Sequence, residues 1–194
     1  IHHNQHGNVG YPQFKAVVLI ECGTRVPLAC ALGRNDAYEP GLFDQIQSKL
    51  SPDMLMLADR AYFDYYRWKS CAAQAGGLLW RVKESLILKP LQTFADGSYL
   101  ARIRPSAKLI KSGRCQKGES MMVRVIEYRP RFEDGTHGDR IRLITTILDP
   151  SQAPADELAV LYAERWSEES GFDELKTHLR GPHRVLRSPL PDLV

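Results

Sequence analysis

The chain has 194 residues, of which 43% are hydrophobic and 25% are charged, and its formal net charge is +3. This size and composition fit one globular domain with a sizeable core and exclude an intrinsically disordered chain. The apolar runs are short, and no charged segment followed by an apolar one opens the sequence, so we expect neither a membrane span nor an export signal.

The first predicted elements are two antiparallel strands and a helix. The sequence AVVLIEC leads into a Gly23-Thr24 turn and then into RVPLACALG, a pattern typical of a tight hairpin. A helix is predicted from about Glu39 to Leu50. The four cysteines lack C-x2-C pairing, which predicts buried reduced thiols rather than a zinc site. His2, His3 and His6 have no second ligand cluster, so we do not expect a metal site there either.

A short apolar run farther along the chain ends in an acidic residue. Residues 54–60 read MLMLADR, which predicts a central strand that ends at Asp59. A carboxylate at the end of a strand can bind a divalent cation together with a carboxylate on a neighbouring helix. Asp59 could equally be the cap of a turn or helix before YFDYYRW, and this segment alone leaves the two interpretations even.

From Gly77 onward the pattern changes to short strands with period-two alternation. Four are predicted, in LLWRVKES, SYLARIRP, MMVRVIEYRP and IRLITTIL, with Trp80 expected in the core. The segment from Leu100 to Arg131 carries nine basic and two acidic residues, a net charge of +7. This concentration predicts a surface that follows a phosphate backbone, and charged strand edges that block aggregation are the alternative. The basic residues are Arg102, Arg104, Lys108, Lys111, Arg114, Lys117, Arg124, Arg129 and Arg131.

Near the end of the chain, residues 162–176 read YAERWSEESGFDELK within a helical pattern. At about 100° per residue, Tyr162, Arg165, Glu169 and Lys176 share one narrow stripe. An adjacent stripe is apolar and would hold the helix on a core; its members are Leu161, Phe172, Leu175 and Leu179. A solvated helix face with an Arg165–Glu169 ion pair is the ordinary interpretation. The four residue types at these spacings arise by chance on the order of once in 10^5 positions, which disfavours it.

This Y-x2-R-x3-E-x6-K arrangement resembles the YREK signature of bacterial insertion-sequence DDE transposases. The resemblance implies an α/β, ribonuclease-H-like mixed sheet with flanking helices, interrupted between Asp59 and Glu169 by a β-strand-rich insertion. In that family the first catalytic aspartate precedes a Tyr-Pro such as Tyr11-Pro12, and residues 1–10 contain no Asp. We therefore expect the interior of a longer transposase that lacks its first strand. The predicted segments are 1–76 (N-terminal core), 77–149 (fifth core strand and basic insertion) and 150–194 (signature helix and remaining core).

The resemblance also implies a chemistry. Asp59 and Glu169 would be catalytic residues and ligands of two Mg²⁺ (or Mn²⁺) ions, which promote hydrolysis and strand transfer at transposon ends. Contacts to DNA would come from the signature helix and from the basic insertion, through Tyr162, Arg165, Lys176, Arg104, Lys111 and Arg124. Such enzymes act as homodimers on DNA, in the bacterial cytoplasm and at the nucleoid, and they do not bind a membrane.

Two alternatives remain at this stage. The chain could be a catalytically inactive DNA-binding remnant of a transposase, which the missing first aspartate favours. It could also be an unrelated small α/β domain with a basic hairpin, which requires both motif matches to be accidental.

Overall fold

The structure is a computed structural model that describes residues 14–131 and 135–165. The chain divides into two compact units, one of residues 1–46 with 168–194 and the other of residues 47–167. In the first, β1 (Phe14–Ile20) and β2 (Pro27–Arg34) form an antiparallel two-stranded sheet, as the sequence predicts. Helix α1 (Glu39–Ile46) follows and buries Leu42, Phe43 and Ile46.

The second unit contains a six-stranded mixed sheet. Its strands are β3 (Leu55–Ala58), β4 (Gly77–Arg81), β5 (Gln92–Thr93), β6 (Tyr99–Ile103), β7 (Met121–Tyr128) and β8 (Ile141–Thr145), in the order β3-β4-β8-β7-β6-β5. Strands β3 and β4 are parallel and all other neighbours are antiparallel. The mixed α/β architecture confirms the predicted fold class, and the five longer strands fall where the sequence predicts them. The strands of the sheet come from the first two predicted segments, 1–76 and 77–149.

One face of this sheet is covered by helix α4 (Ala155–Glu164). Leu158 and Tyr162, four residues apart on the helix, pack with Leu79, Leu143 and Ile126 in one core cluster. The period of 3.6 residues brings them to the same side of the helix. Helix α4 is therefore held on the sheet mainly by burial of apolar surface.

The opposite face is covered by helix α2 (Tyr65–Ala72), which sequence patterning did not predict. Trp68 of α2 meets Trp80 of β4 edge to face, with ring centroids 5.3 Å apart, and both are fully buried. The expectation that Trp80 belongs to the core is confirmed. Asp64 caps α2 by accepting hydrogen bonds from the backbone N–H groups of Tyr66 and Arg67. Because Asp64 is the cap, the helix-cap interpretation of Asp59 is wrong.

A buried arginine joins the insertion to the start of α4. Arg124 of β7 is fully buried, and its guanidinium donates to the Ser98 hydroxyl at 3.0 Å and to the Ala153 carbonyl at 2.6 Å. The same guanidinium lies 3.5 Å from Asp96, in the turn between β5 and β6. Asp96 in turn accepts from the backbone N–H of Ala155 at 3.2 Å. Three chain segments thus meet at one ion pair.

No helix in the described part of the chain is long and apolar enough to span a bilayer. The four cysteines, all within the described residues, form no disulfide bond; Cys71 and Cys115 are buried as expected, whereas Cys22 is half-buried and Cys30 is exposed. The strand β2 that carries Cys30 has an exposed face, which the cysteine pattern alone does not reveal.

Packing of α4 on the sheet predicts a large difference between two substitutions on the same helix. Leu158→Ala should lower the free energy of unfolding by about 2–4 kcal/mol, because Leu158 is 2% exposed and its removal leaves a cavity. Val160→Ala is the control and should change it by less than about 0.5 kcal/mol, since Val160 is 63% exposed. Urea denaturation measures both, and equal losses would contradict this packing.

The Asp96 carboxyl predicts a pH-dependent part of the stability. Burial acts to raise its pKa, but hydrogen bonds from Ser98, the charge of Arg124 and the Ala155 N–H outweigh burial and lower the pKa. A lowered pKa stabilises the fold above the unfolded value of about 3.9, and this contribution disappears as the pH falls through the lower folded value. The melting temperature of Asp96→Asn should therefore lie below that of the parent at pH 7, and the gap should close below about pH 4. A gap that is independent of pH would refute the role of this charge.

Candidate active site

Asp59 follows directly after β3, at the carboxyl end of the strand. Its side chain is half-buried, and its backbone carbonyl accepts a hydrogen bond from the Tyr62 N–H in the turn that follows. The carboxylate atom Oδ1 is buried and has no hydrogen-bond partner among the described residues. Burial of a carboxylate oxygen without a partner lowers the stability of the fold through desolvation, unless a cation or a hydrogen-bond donor approaches it. Its donor chemistry fits a hard divalent cation.

Tyr162 lies beside this strand end. The sequence places it on a polar stripe at the rim, but its ring is fully buried in the core cluster of α4. Its hydroxyl donates to the carbonyl of Ala58, the residue before Asp59, at 3.4 Å. Burial chiefly raises the pKa of Tyr162, to about 12, and the nearby charge of Asp59 acts in the same direction. The phenol therefore stays neutral and connects α4 to the end of β3.

Two arginines add positive charge at the same end of the sheet. The Arg165 guanidinium lies over the Tyr162 ring, 5.4 Å from its centroid, and acts to lower the pKa of that phenol. Arg81, the last residue of β4, acts in the same direction. Because β3 and β4 are parallel and Ala58 is paired with Trp80, Arg81 at the end of β4 and Asp59 just after β3 lie at the same edge of the sheet. Arg81 is not among the site residues predicted from the sequence; its position at the end of a strand parallel to β3 was the available signal.

Glu169 and Lys176, like Phe172, lie outside the described residues, and their predicted roles stay predictions. Helix α4 nevertheless shows which side of the helix the stripe occupies up to Arg165. With Tyr162 at 0°, Leu158 falls at about 320° and Ala155 at about 20°, and both are buried. Up to Arg165, the predicted polar stripe therefore coincides with the sheet-facing side of α4. Leu161, on the predicted apolar stripe, packs only at the edge of the core cluster.

Most of the basic segment from Leu100 to Arg131 is available to a partner. Eight of its nine basic residues are exposed, including Arg104 at the end of β6 and Lys111 of helix α3 (Ala107–Lys111). Its two acidic residues are occupied within the protein: Glu119 pairs with Lys69 at 2.6 Å, and Glu127 pairs with Arg140 and Arg142. These pairings lower the pKa of both glutamates, that of Glu127 against the opposing effect of burial. The exposed surface of the insertion is therefore strongly positive.

Arg124 is the exception, and its predicted phosphate contact does not fit the structure. Its side chain is buried, and its donors are directed at Ser98, Asp96, Ala153 and Ile147. A central strand covered on both faces buries every residue in its middle, whichever way it points. Apolar residues on both sides of Arg124 were the sequence signal for its burial. A count of basic residues does not take these neighbours into account.

No cluster of three or more His, Cys, Asp or Glu side chains that could hold a metal occurs among residues 14–131 and 135–165. Of the two predicted metal ligands, Asp59 is the one that lies within the described residues, at the carboxyl end of β3.

Comparison with known proteins agrees with this fold. The Transposase DDE domain family matches residues 1–190. The chain is 23% identical over 186 residues to the transposase InsG for insertion sequence element IS4 of Escherichia coli (strain K12), an alignment that covers 95% of the chain and 40% of that protein. The chain therefore spans about 40% of the length of this curated relative. With nearly its whole length matched, the chain belongs to the transposase DDE domain family.

Proposed function

We propose that this chain is the catalytic-core part of a DNA transposase, which in the intact protein cuts and joins transposon ends by Mg²⁺-dependent phosphodiester chemistry. The observation that carries the proposal is the Asp59 carboxylate, with its unpartnered buried oxygen at the end of β3, beside the helix that leads into the YREK signature. Family membership supports the same reading.

Asp59 and Glu169 would hold two Mg²⁺ or Mn²⁺ ions, together with a third carboxylate of the intact protein. The ions would supply Lewis-acid activation of the attacking oxygen and charge stabilisation of the leaving oxygen. The sequence pattern supports Glu169, because in a helical register it falls at about 340°, on the same predicted stripe as Tyr162. The Tyr162 hydroxyl reaches the end of β3, next to Asp59.

The cationic side chains hold the DNA. Arg165, Lys176 and Arg81 contact phosphates near the scissile bond, and the exposed Arg104 and Lys111 extend the contact along the insertion. Tyr162 acts differently: its buried ring and its bond to Ala58 make it a support for the strand end, and Arg165 above the ring is the group that faces the DNA. The protein acts as a homodimer on transposon ends in the bacterial cytoplasm.

The second candidate is an inactive DNA-binding transposase remnant. The exposed positive insertion favours it, because DNA binding there needs neither Asp59 nor Glu169. The two candidates differ in one measurable respect, cleavage that depends on carboxylates and Mg²⁺.

Glu169→Gln separates them, in a protein that carries this chain together with an upstream strand and its aspartate. The substitution should abolish Mg²⁺-dependent cleavage of transposon ends, because a neutral amide binds hard cations poorly, and Asp59→Asn should do the same. Glu157→Gln, the same change at an exposed position of α4, should leave cleavage unchanged. Stability should change by less than about 1 kcal/mol in each glutamine variant. Normal cleavage by Glu169→Gln would leave only the DNA-binding candidate.

Binding to duplex DNA should fall steeply with salt, whichever candidate holds. Each phosphate neutralised contributes about 0.9 to the slope of log K against log salt, so Arg104→Ala with Lys111→Ala should flatten it by about 1.8. Lys49→Ala with Lys89→Ala removes the same charge from exposed sites outside the basic segment from Leu100 to Arg131 and should change the slope far less. Fluorescence anisotropy between 50 and about 200 mM salt measures it. Equal slopes for the two double variants would show that the insertion is not the DNA surface.

A further inference from the structure

We propose that Arg124 is a positioning residue for α4: held by Asp96, its guanidinium fixes the start of the helix and thereby the position from which Arg165 contacts DNA beside Asp59. The inference rests on the proposed function for its last clause. Its first part, that Arg124 orders α4, stands on contacts alone.

The start of α4 lacks a cap of its own. Its N-cap residue is Pro154, whose side chain makes no capping hydrogen bond. The Ala155 N–H is instead bonded by the Asp96 carboxylate, which belongs to a turn 59 residues earlier in the chain. A carboxylate at this point also lies at the positive end of the helix dipole. The cap of α4 is therefore supplied by the β-rich insertion.

Arg124 holds that cap in place from the other side. Its Nη2 donates to the Ala153 carbonyl at 2.6 Å and lies 3.5 Å from Asp96, while its Nε bonds the Ser98 hydroxyl at 3.0 Å. Ser98 also donates to Asp96 at 2.6 Å. The peptide units on both sides of Pro154 are thus bonded to one ion pair, whose arginine is buried and whose aspartate is partly exposed.

Directional hydrogen bonds of this kind fix the position of a helix along its axis, which apolar packing alone does not. The cluster around Leu158 and Tyr162 stabilises α4 on the sheet, but burial of apolar surface is non-directional. A shift of one residue along the helix would move every later side chain by about 1.5 Å and turn it by about 100°. Arg165 follows Ala155 by ten residues, nearly three helical turns, so an error at the start of the helix reaches it in full. Misplacement of a catalytic group by about 1 Å can reduce a rate on the order of 100-fold.

The test compares Arg124→Met with Arg142→Met, in the full-length protein. Arg142 is a matched control because it is a largely buried arginine in the same sheet, bonded to the carbonyls of Glu84 and Leu86 rather than to the start of α4. Amide hydrogen exchange of Leu158 to Tyr162 is read together with the cleavage rate at saturating Mg²⁺, below the unfolding temperature of both variants. If Arg124→Met does not fold, Asp96→Ala takes its place. This substitution removes the capping carboxylate, and the Asp96 side chain is partly exposed.

We expect exchange in α4 to become about tenfold faster in Arg124→Met or Asp96→Ala, relative to the strands of the sheet, since loss of a helix cap has an effect of this order. Cleavage should fall about 100-fold, and Arg124→Lys should recover part of both. Arg142→Met should show neither local change. Uniform exchange in all variants, or local exchange with normal cleavage, would overturn the inference. A parent protein that does not cut DNA would instead refute the proposed function, and the exchange result would still decide whether Arg124 orders α4.

Discussion

Burial of Tyr162 at the end of β3 is the contact on which the arrangement of the site depends. The phenol is large enough to fill the space between α4 and the sheet, and its hydroxyl reaches the Ala58 carbonyl next to Asp59. An amphipathic residue suits this position, because the ring contributes apolar burial while the polar tip satisfies a backbone acceptor at the strand end. Replacement by a wholly apolar residue would keep the first effect and lose the second. The strand end and the signature helix are thereby tied together one residue away from the candidate metal ligand.

The basic segment from Leu100 to Arg131, within the β-rich insertion, combines two uses of basic residues that look alike in the sequence. Eight of its nine cations are exposed, and its two glutamates are paired with Lys69, Arg140 and Arg142, so its outer surface presents positive charge to a partner. The ninth cation, Arg124, faces the other way and serves the fold. Arginine is suited to that internal role, since its planar guanidinium can bond several acceptors in fixed directions and stays charged when buried. Burial does lower its pKa, but Asp96 and Asp149 counteract the effect.

The longer strands and the position of Asp59 were predictable because each depends on a local pattern. Alternating or continuous apolar runs bounded by polar turns predict β3, β4 and β6–β8 directly. Helix α2 has only eight residues and a weak apolar face, and β5 has only two, so neither leaves a clear period in the sequence. The burial of Tyr162 and Arg124 is a tertiary property. It depends on which elements cover each face of the sheet, and a helical wheel drawn for α4 alone could not distinguish its core-facing side from its rim.

The same limitation explains why Tyr162 was assigned to the wrong surroundings, while the composition of the signature was still informative. A helix that packs on a sheet presents one face to it, and that face must change from apolar to polar where the sheet ends. Ala155, Leu158 and Tyr162 occupy the covered part, and Arg165 is the first charged residue on the same side. A buried ion pair adds little net stability compared with apolar residues of similar volume. The Asp96–Arg124 pair at the start of α4 is therefore better understood as a constraint on where this face changes than as a source of stability. A helix capped from the insertion cannot slide without breaking that pair, so the insertion that presents the exposed basic surface also sets the position of the helix that carries the signature.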